Sequence, residues 1–450
     1  MMPSETNEVI DLTITPVEPF ATVDGITVSH FAIENPGFDL HDIPGGSELA
    51  IYYCATPGGE TEFLALGEVD VVTADDYFSL TGIRKSVFAS AITGNAQALP
   101  DRFAYVSFPF ESNPGIPYAK FVMPEFVIKR TGEEYLIRMN VRKEEVSSRL
   151  DLTLRVQRLL DSLRATVKVQ HKIAGKTIVD DTPEYFTNGV NRIKDAICAG
   201  MISKGVFSRD RKIMFEGVFS FAGALQTLQA NYPDCTVIFT NYPGRNFIAA
   251  TPERLFRLEG NTVLTEALAG SIKPGDNEPD QSIADDNLLH SEKDVNEHLI
   301  VRDYLLTRLK PVASSIEYEP NPGVKRLANV THLRTGIKAT LKEGITPLDL
   351  GRLLFPTPAL CGEPMEVAAE LINSVEKRKR DLYGGVTGFI TNGGVSEFFV
   401  SIRCGFIDKN EATLYAGCGI VADSDPYSEY EETNLKFIPL TSLFTDENQP

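Results

Sequence analysis

Several features that would place this 450-residue chain in other large protein classes are missing. It has no uninterrupted run of about 18 apolar residues, so no bilayer-spanning helix is expected. Residues 1–11 carry three acidic side chains and no basic one. They lack the cationic start and apolar stretch of a signal peptide, and a cytoplasmic location is expected. The six cysteines (Cys54, Cys198, Cys235, Cys361, Cys404, Cys418) include no C-x-x-C pair. That spacing excludes a zinc ribbon or a disulfide framework and reads as reduced, mostly buried thiols. Positive charge is also short, with 43 Lys and Arg against 62 Asp and Glu and a net charge of −19. Such a surface repels nucleic acid and anionic membranes, and neither is expected as a partner. The same field opposes an anionic small molecule, so a site for one needs local cations or a bound metal.

What is present is the composition of a globular protein with a large core: 42% apolar and 23% charged residues. Up to about residue 150 the chain alternates short β-rich runs with turn clusters, and strands are expected at 26–31, 49–54, 103–108 and 135–141. Segments 43–47 and 112–117 read as surface loops. After Asp180 helices and strands alternate. Thr182 caps a helix with Pro183 at its first position; Phe186, Val190, Ile193 and Ile197 form its apolar stripe, and Gly200 stops it. Strands follow at 204–208, 235–240, 247–250, 255–258, 262–267, 388–391, 397–404 and 412–416. Helices are expected at 283–309, 346–354 and 364–374. Strands in hairpin-like pairs favour antiparallel sheet with helices packed outside, and the chain reads as one large α+β domain over residues 1–450.

Two constellations carry chemistry. The first is acidic: Asp294 and Glu297 share one helix face, and Glu429, Glu432 and Lys436 share another at intervals of three and four. Together such faces make an oxygen-only site of the kind that Mg²⁺ prefers, although solvated charge is the commoner fate of helical carboxylates. The second is Lys204 and Glu253, each embedded in apolar sequence. A lysine in a partly dry site loses its proton more readily and a glutamate keeps one, which supplies a general base and a general acid. The ordinary alternative is a surface salt bridge. Gly417-Cys-Gly419-Ile-Val-Ala422 fits a dinucleotide-binding fingerprint, but only the 28 residues 423–450 follow it. That is too few for the βαβ unit the motif requires, so nucleotide binding is set aside.

In order along the chain, eight segments resemble the chorismate-utilising enzymes. They are Lys204-Gly-Val-Phe-Ser-Arg209, Thr251-Pro-Glu-Arg-Leu255, Leu268-Ala-Gly-Ser271, Ser291-Glu-Lys-Asp294 with Glu297-His298, Phe355-Pro-Thr-Pro-Ala-Leu360, Ile402-Arg403, Tyr415-Ala-Gly417, and Glu429 through Lys436. That family includes isochorismate synthase, salicylate synthase and the synthase components for anthranilate and aminodeoxychorismate. The resemblance covers residues 180–437, expected as the chorismate-binding catalytic core, with 1–150 as a variable β-rich part. It implies two packed, mainly antiparallel sheets flanked by helices. It also implies that Lys204 activates water for attack at C2 of chorismate and that Glu253 protonates the departing C4 hydroxyl. Glu297 and Glu432 are implied as Mg²⁺ ligands, supported by Asp294 and Glu429. Arg403 is implied to clasp a substrate carboxylate, where a two-pronged donor suits the geometry. Gly270, His332, Tyr415, Gly417 and Lys436 are placed around the same substrate.

Within the family, relatives that use ammonia carry glutamine where this chain has Lys204, so lysine points to hydroxylation. Relatives that also eliminate pyruvate have a Thr-Ala-Ser-Gly type sequence where this chain reads Thr357-Pro-Ala-Leu-Cys-Gly362. Ala359 and Leu360 are then expected beside an enolpyruvyl group that stays attached, as in isochorismate synthase. Phe355 stands where many isochorismate synthases have His, and Tyr430 replaces a common Trp. The competing readings are a salicylate synthase and a catalytically silent chorismate-binding homologue. Nothing in the sequence demands more than a monomer, which is the expectation, with a dimer as the alternative.

Overall fold

A computed structural model describes residues 14–23, 26–33, 36–42, 49–59, 61–74, 103–110, 119–166, 168–391 and 395–445. The acidic N-terminal segment and the loops expected at 43–47 and 112–117 lie outside the described residues. Two sheets dominate, one of thirteen strands and one of ten, and every described pairing is antiparallel. Both take strands from either side of residue 150. Ile51–Ala55 pairs with Thr236–Tyr242 in the larger sheet, and Phe103–Phe108 pairs with Val386–Thr391 in the smaller.

The sheets face each other across an aromatic layer. Phe63, Phe247 and Phe406 from the larger sheet meet Tyr105, Phe389 and Phe399 from the smaller, and the Phe63 and Phe389 ring centroids are 4.8 Å apart. Alternation along each strand then sends every second apolar side chain to the outer faces, where helices cover it. Arg149–Arg164, Phe221–Asn231 and Pro426–Thr441 pack outside the larger sheet. Glu292–Leu309 and Pro347–Leu354 pack outside the smaller. Among the described residues there are eight α-helices, and none is long and apolar enough to cross a membrane.

Local signals explain most boundaries. The Thr182 side chain accepts a hydrogen bond from the Tyr185 amide at the start of Pro183–Cys198, whose stripe Phe186, Val190 and Ile193 is buried. Thr346 and Asp349 form a reciprocal capping box on Pro347–Leu354.

Three expectations need correction. The helix expected over 283–309 is two, Glu278–His290 and Glu292–Leu309, because Ser291 is extended (ψ 109°) and its hydroxyl caps the Asp294 amide. The strand expected over 397–404 is also two, Val395–Val400 and Cys404–Asp408, because Arg403 lies at φ +48°. The strand expected over 204–208 runs on to Val218.

Candidate active site

Lys204 opens the strand Lys204–Val218, and its side chain is wholly buried (0% exposed). Its Nζ donates to Glu297 Oε1 at 2.8 Å. Glu297 projects from Glu292–Leu309, which lies against the strand Thr262–Ile272 of the smaller sheet. The two groups meet beneath Gly419. A methyl carbon there would stand 2.0 Å from Glu297 Oε1 and 2.7 Å from Lys204 Cε, so any side chain would have to displace the ion pair.

The two acidic helix faces converge here. Lys293 Nζ lies 2.7 Å from Glu429 Oε1 and 3.9 Å from Asp294 Oδ1. Lys436 Nζ donates to Glu432 Oε1 at 2.5 Å and to the Gly417 carbonyl at 2.9 Å. Burial and the charge of Glu432 push the Glu429 carboxyl up to about 7 against the pull of Lys293. Burial works to raise Glu432 too, but Lys436 and Lys293 outweigh it and hold that carboxyl below its ordinary range. For Asp294, burial prevails over the Ser291 hydrogen bond and the carboxyl is raised.

Glu253 sits between the strands Arg245–Thr251 and Arg254–Glu259, its backbone fixed by the bond from its own amide to Thr251 Oγ1 (3.2 Å) and by its carbonyl accepting from the Val400 amide (3.0 Å). Burial and the neighbouring Glu266 push its carboxyl up to about 7, against Lys325, Lys204 and Arg403. It is therefore a group that still holds a proton near neutral pH.

Opposite it, Arg403 reaches into the same space from the connection between Val395–Val400 of the smaller sheet and Cys404–Asp408 of the larger. Its left-handed backbone is unusual for a residue with a side chain, and such conformations gather at functional sites. His332 positions it. The His332 Nδ1–H faces the Gly270 carbonyl (3.2 Å) and the Ser271 hydroxyl (2.9 Å), leaving Nε2 to accept from Arg403 Nη2 at 3.3 Å. Burial, together with Arg403 and Lys436, lowers His332 to about 3, so it is neutral at physiological pH. Gly270 (φ +75°) forms a bulge whose missing side chain makes room for Asp294, 3.0 Å from where a Cβ would lie.

Glu253, Gly270, Glu297, His332 and Arg403 line one cavity of ≈ 60 Å³. Ala359, Leu360, Tyr415, Gly417, Glu432 and Lys436 are on the same wall. Of the residues singled out in the sequence, Lys204, Asp294 and Glu429 are not on the wall. Lys204 lies behind Glu297 and Gly419, Asp294 behind Gly270, and Glu429 is joined to the group through Lys293. The sequence reading missed Lys293, although it stands within the quoted Ser291–Asp294 motif and four residues before Glu297. It also missed Gly419, which had been read only as part of a dinucleotide fingerprint. A larger cavity, ≈ 710 Å³, contains none of the expected site residues; Thr251, Pro252 and Arg254 are on its wall.

The donors suit a hard divalent ion, since they are carboxylate oxygens on two facing helices. Two of those oxygens, Asp294 Oδ1 and Glu429 Oε2, are buried and accept no hydrogen bond, which is costly unless a cation takes them. As the side chains stand, no three Asp, Glu, His or Cys residues among the described ones are arranged around a single point that could hold an ion. Lysine ammoniums occupy the positions between them. The residues fit Mg²⁺ in chemistry, and binding it requires the lysines to give way.

Comparison with known proteins bears on the family and the fold. The sequence model described as chorismate binding enzyme matches residues 40–445. Isochorismate synthase MenF of Bacillus subtilis is 36% identical over 270 residues, 60% of this chain and 56% of that protein. Isochorismate synthase DhbC of the same species is 34% identical over 265 residues, 57% of this chain and 66% of the relative. The matches thus span between about half and two thirds of these curated relatives. The menaquinone-specific isochorismate synthase MenF of Escherichia coli superposes with a TM-score of 0.79 over 95% of this chain and 96% of that one. At 22% identity that likeness speaks for the fold.

Proposed function

From the premise that the chain belongs to the chorismate-binding enzyme family, we propose that it is an isochorismate synthase, a Mg²⁺-dependent enzyme that converts chorismate reversibly to isochorismate. One observation carries the reading: a buried glutamate whose carboxyl is pushed up to about 7 and a buried arginine line one cavity, and a buried lysine stands directly behind the Glu297 carboxylate on its wall. These are an acid, an anion clasp and a base.

In the forward direction the Lys204 amine takes a proton from water as the water oxygen bonds to C2. The ring double bonds shift, the C4–O bond breaks, and Glu253 gives its proton to the departing hydroxyl, which leaves as water. Atoms and charge balance, and the product is an isomer of the substrate. To serve as the base, Lys204 must both leave Glu297 and give up one ammonium proton to solvent, because an ammonium, ion-paired or not, has no free electron pair. Arg403, held by neutral His332, is aimed at a substrate carboxylate. Leu360 and Ala359 offer the enolpyruvyl group an apolar wall with no base to start its elimination. Bound Mg²⁺, held by Glu297 and Glu432 with Asp294 and Glu429 in support, would supply the positive charge that fixes the ring carboxylate of a dianionic substrate. The six cysteines are all free, in keeping with action in the cytoplasm.

Incubation with chorismate and Mg²⁺, followed by chromatography of the products, tests the assignment. Isochorismate without pyruvate is expected. Salicylate fluorescence with stoichiometric pyruvate would make the protein a salicylate synthase, and no turnover at saturating Mg²⁺ would make it a silent homologue.

A further inference from the structure

The backbone that carries Glu253 is a partition. Glu253 faces the small reaction cavity, whereas the two residues before it, Thr251 and Pro252, line the ≈ 710 Å³ cavity on the other side. On that far side stands a cluster with no place in the mechanism above. Lys325, from the short strand Gly323–Arg326, donates to the Pro252 carbonyl at 2.9 Å and to Glu266 Oε1 at 2.7 Å. Arg334 Nε donates to Glu266 Oε2 at 2.6 Å. Glu266 belongs to Thr262–Ile272 and Arg334 to Thr331–Leu341, neighbouring strands of the smaller sheet.

Two consequences follow from this geometry. Lys325 anchors the carbonyl immediately before Glu253, which fixes the turn from which the acid projects. It also divides its charge between that carbonyl and the Glu266 carboxylate, whose negative charge acts on Glu253. The charged groups acting on Glu253 are Glu266 and Lys325 from behind, Arg403 on the wall of the reaction cavity, and Lys204 beyond that wall. The last two are committed to substrate and to the reaction. Only the rear pair is free to be set for the acid's benefit, and there the negative charge of Glu266 favours protonated Glu253 while Lys325 opposes it.

We propose that Lys325, Glu266 and Arg334 are positioning residues for the catalytic acid, which hold its turn in place and, through the balance of charge behind it, govern how readily Glu253 keeps its proton. This rests on the proposed function, in which Glu253 is that acid. Arg334 ties down the Glu266 carboxylate so that it faces the turn, and Lys325 moderates it.

The test reads the proton on Glu253 directly. Infrared difference spectra of the wild type against Glu253→Gln isolate the carboxyl stretch of Glu253, and its loss with rising pH gives a midpoint expected near 7. Glu266→Gln removes the rear negative charge with little change of shape, and the midpoint should fall by about one pH unit. Lys325→Met unbalances Glu266, and the midpoint should rise by a similar amount; Lys325→Arg should restore it. The matching break in the kcat/KM profile should move with the midpoint in each variant. Midpoints that stay put, or that move the same way in Glu266→Gln and Lys325→Met, would overturn the proposal. Should Lys325→Met fail to fold, Glu266→Gln decides alone. Failure of the underlying reading looks different: Glu253→Gln would then turn over chorismate normally, whatever the infrared midpoints do.

Discussion

Two buried ion pairs lie close together in this protein and are built to opposite plans. Arg380 and Glu376 form the first. The guanidinium makes two bonds to the Glu376 carboxylate, at 2.9 and 2.6 Å, and donates to the carbonyls of Leu360 and Val206 at 2.8 and 2.9 Å. Glu376 Oε1 also takes the Ser208 amide and hydroxyl. Lys204 and Glu297 form the second, and they share a single hydrogen bond among neighbours with orphaned oxygens and carboxyls raised by burial. A buried charge whose bonding capacity is filled on every side holds structure, here the Leu360 end of the segment expected beside the enolpyruvyl group. One left short of partners is ready to exchange them. The contrast predicts that the first pair is needed for the fold and the second for turnover.

The largest effect expected is on stability at the first pair. Arg380→Met should cost about 3–5 kcal/mol in denaturant unfolding, because it leaves Glu376 buried and unpaired. The double variant with Glu376→Met should recover most of that loss, and equal losses in both would break the comparison. Next comes Lys204→Ala. It should lower kcat by about 10²–10⁴-fold with Mg²⁺ binding retained by calorimetry. Unfolding should change much less than in Arg380→Met, because Glu297 faces the cavity, where solvent or an ion can replace the ammonium. A normal rate would remove Lys204 from the base role. The smallest effect is at the rim. Glu432→Gln should raise the Mg²⁺ concentration needed for half-maximal rate by about 10–100-fold, and an unchanged titration curve would count against its ligation.

The sequence was informative where local chemistry decides structure. Thr182-Pro183 and Thr346 mark helix starts because capping acts over three residues. It was silent where distant contacts decide. The strand from Lys204 continues through Arg209, Asp210, Arg211 and Lys212, which look like a charged loop in isolation. They are held in the sheet because Arg209 is stacked against Tyr430 and Phe437 of the last helix. The breaks at Ser291 and Arg403 interrupt sequences whose propensities continue smoothly, and Arg403 adopts its backbone conformation where its side chain meets His332. For the site, residue type and order named Glu253, Glu297, Glu432 and Arg403, which the fold brings to one cavity, and Lys204, Asp294 and Glu429, which it places behind that cavity's wall. Of the lysine counter-ions, Lys436 was legible, four residues after Glu432 on one helix face, whereas Lys293 was not, since it becomes the partner of Glu429 only when helices far apart in the chain pack together.

Conversion of chorismate in heavy-oxygen water, with the product examined by mass spectrometry, reaches the central claim most directly. If water attacks C2 while the C4 hydroxyl leaves, isochorismate formed early in the reaction carries one solvent oxygen at C2 and none elsewhere on the ring. Unlabelled isochorismate would mean that the hydroxyl migrates within the substrate, and would contradict a lysine that activates water opposite a glutamic acid that releases it.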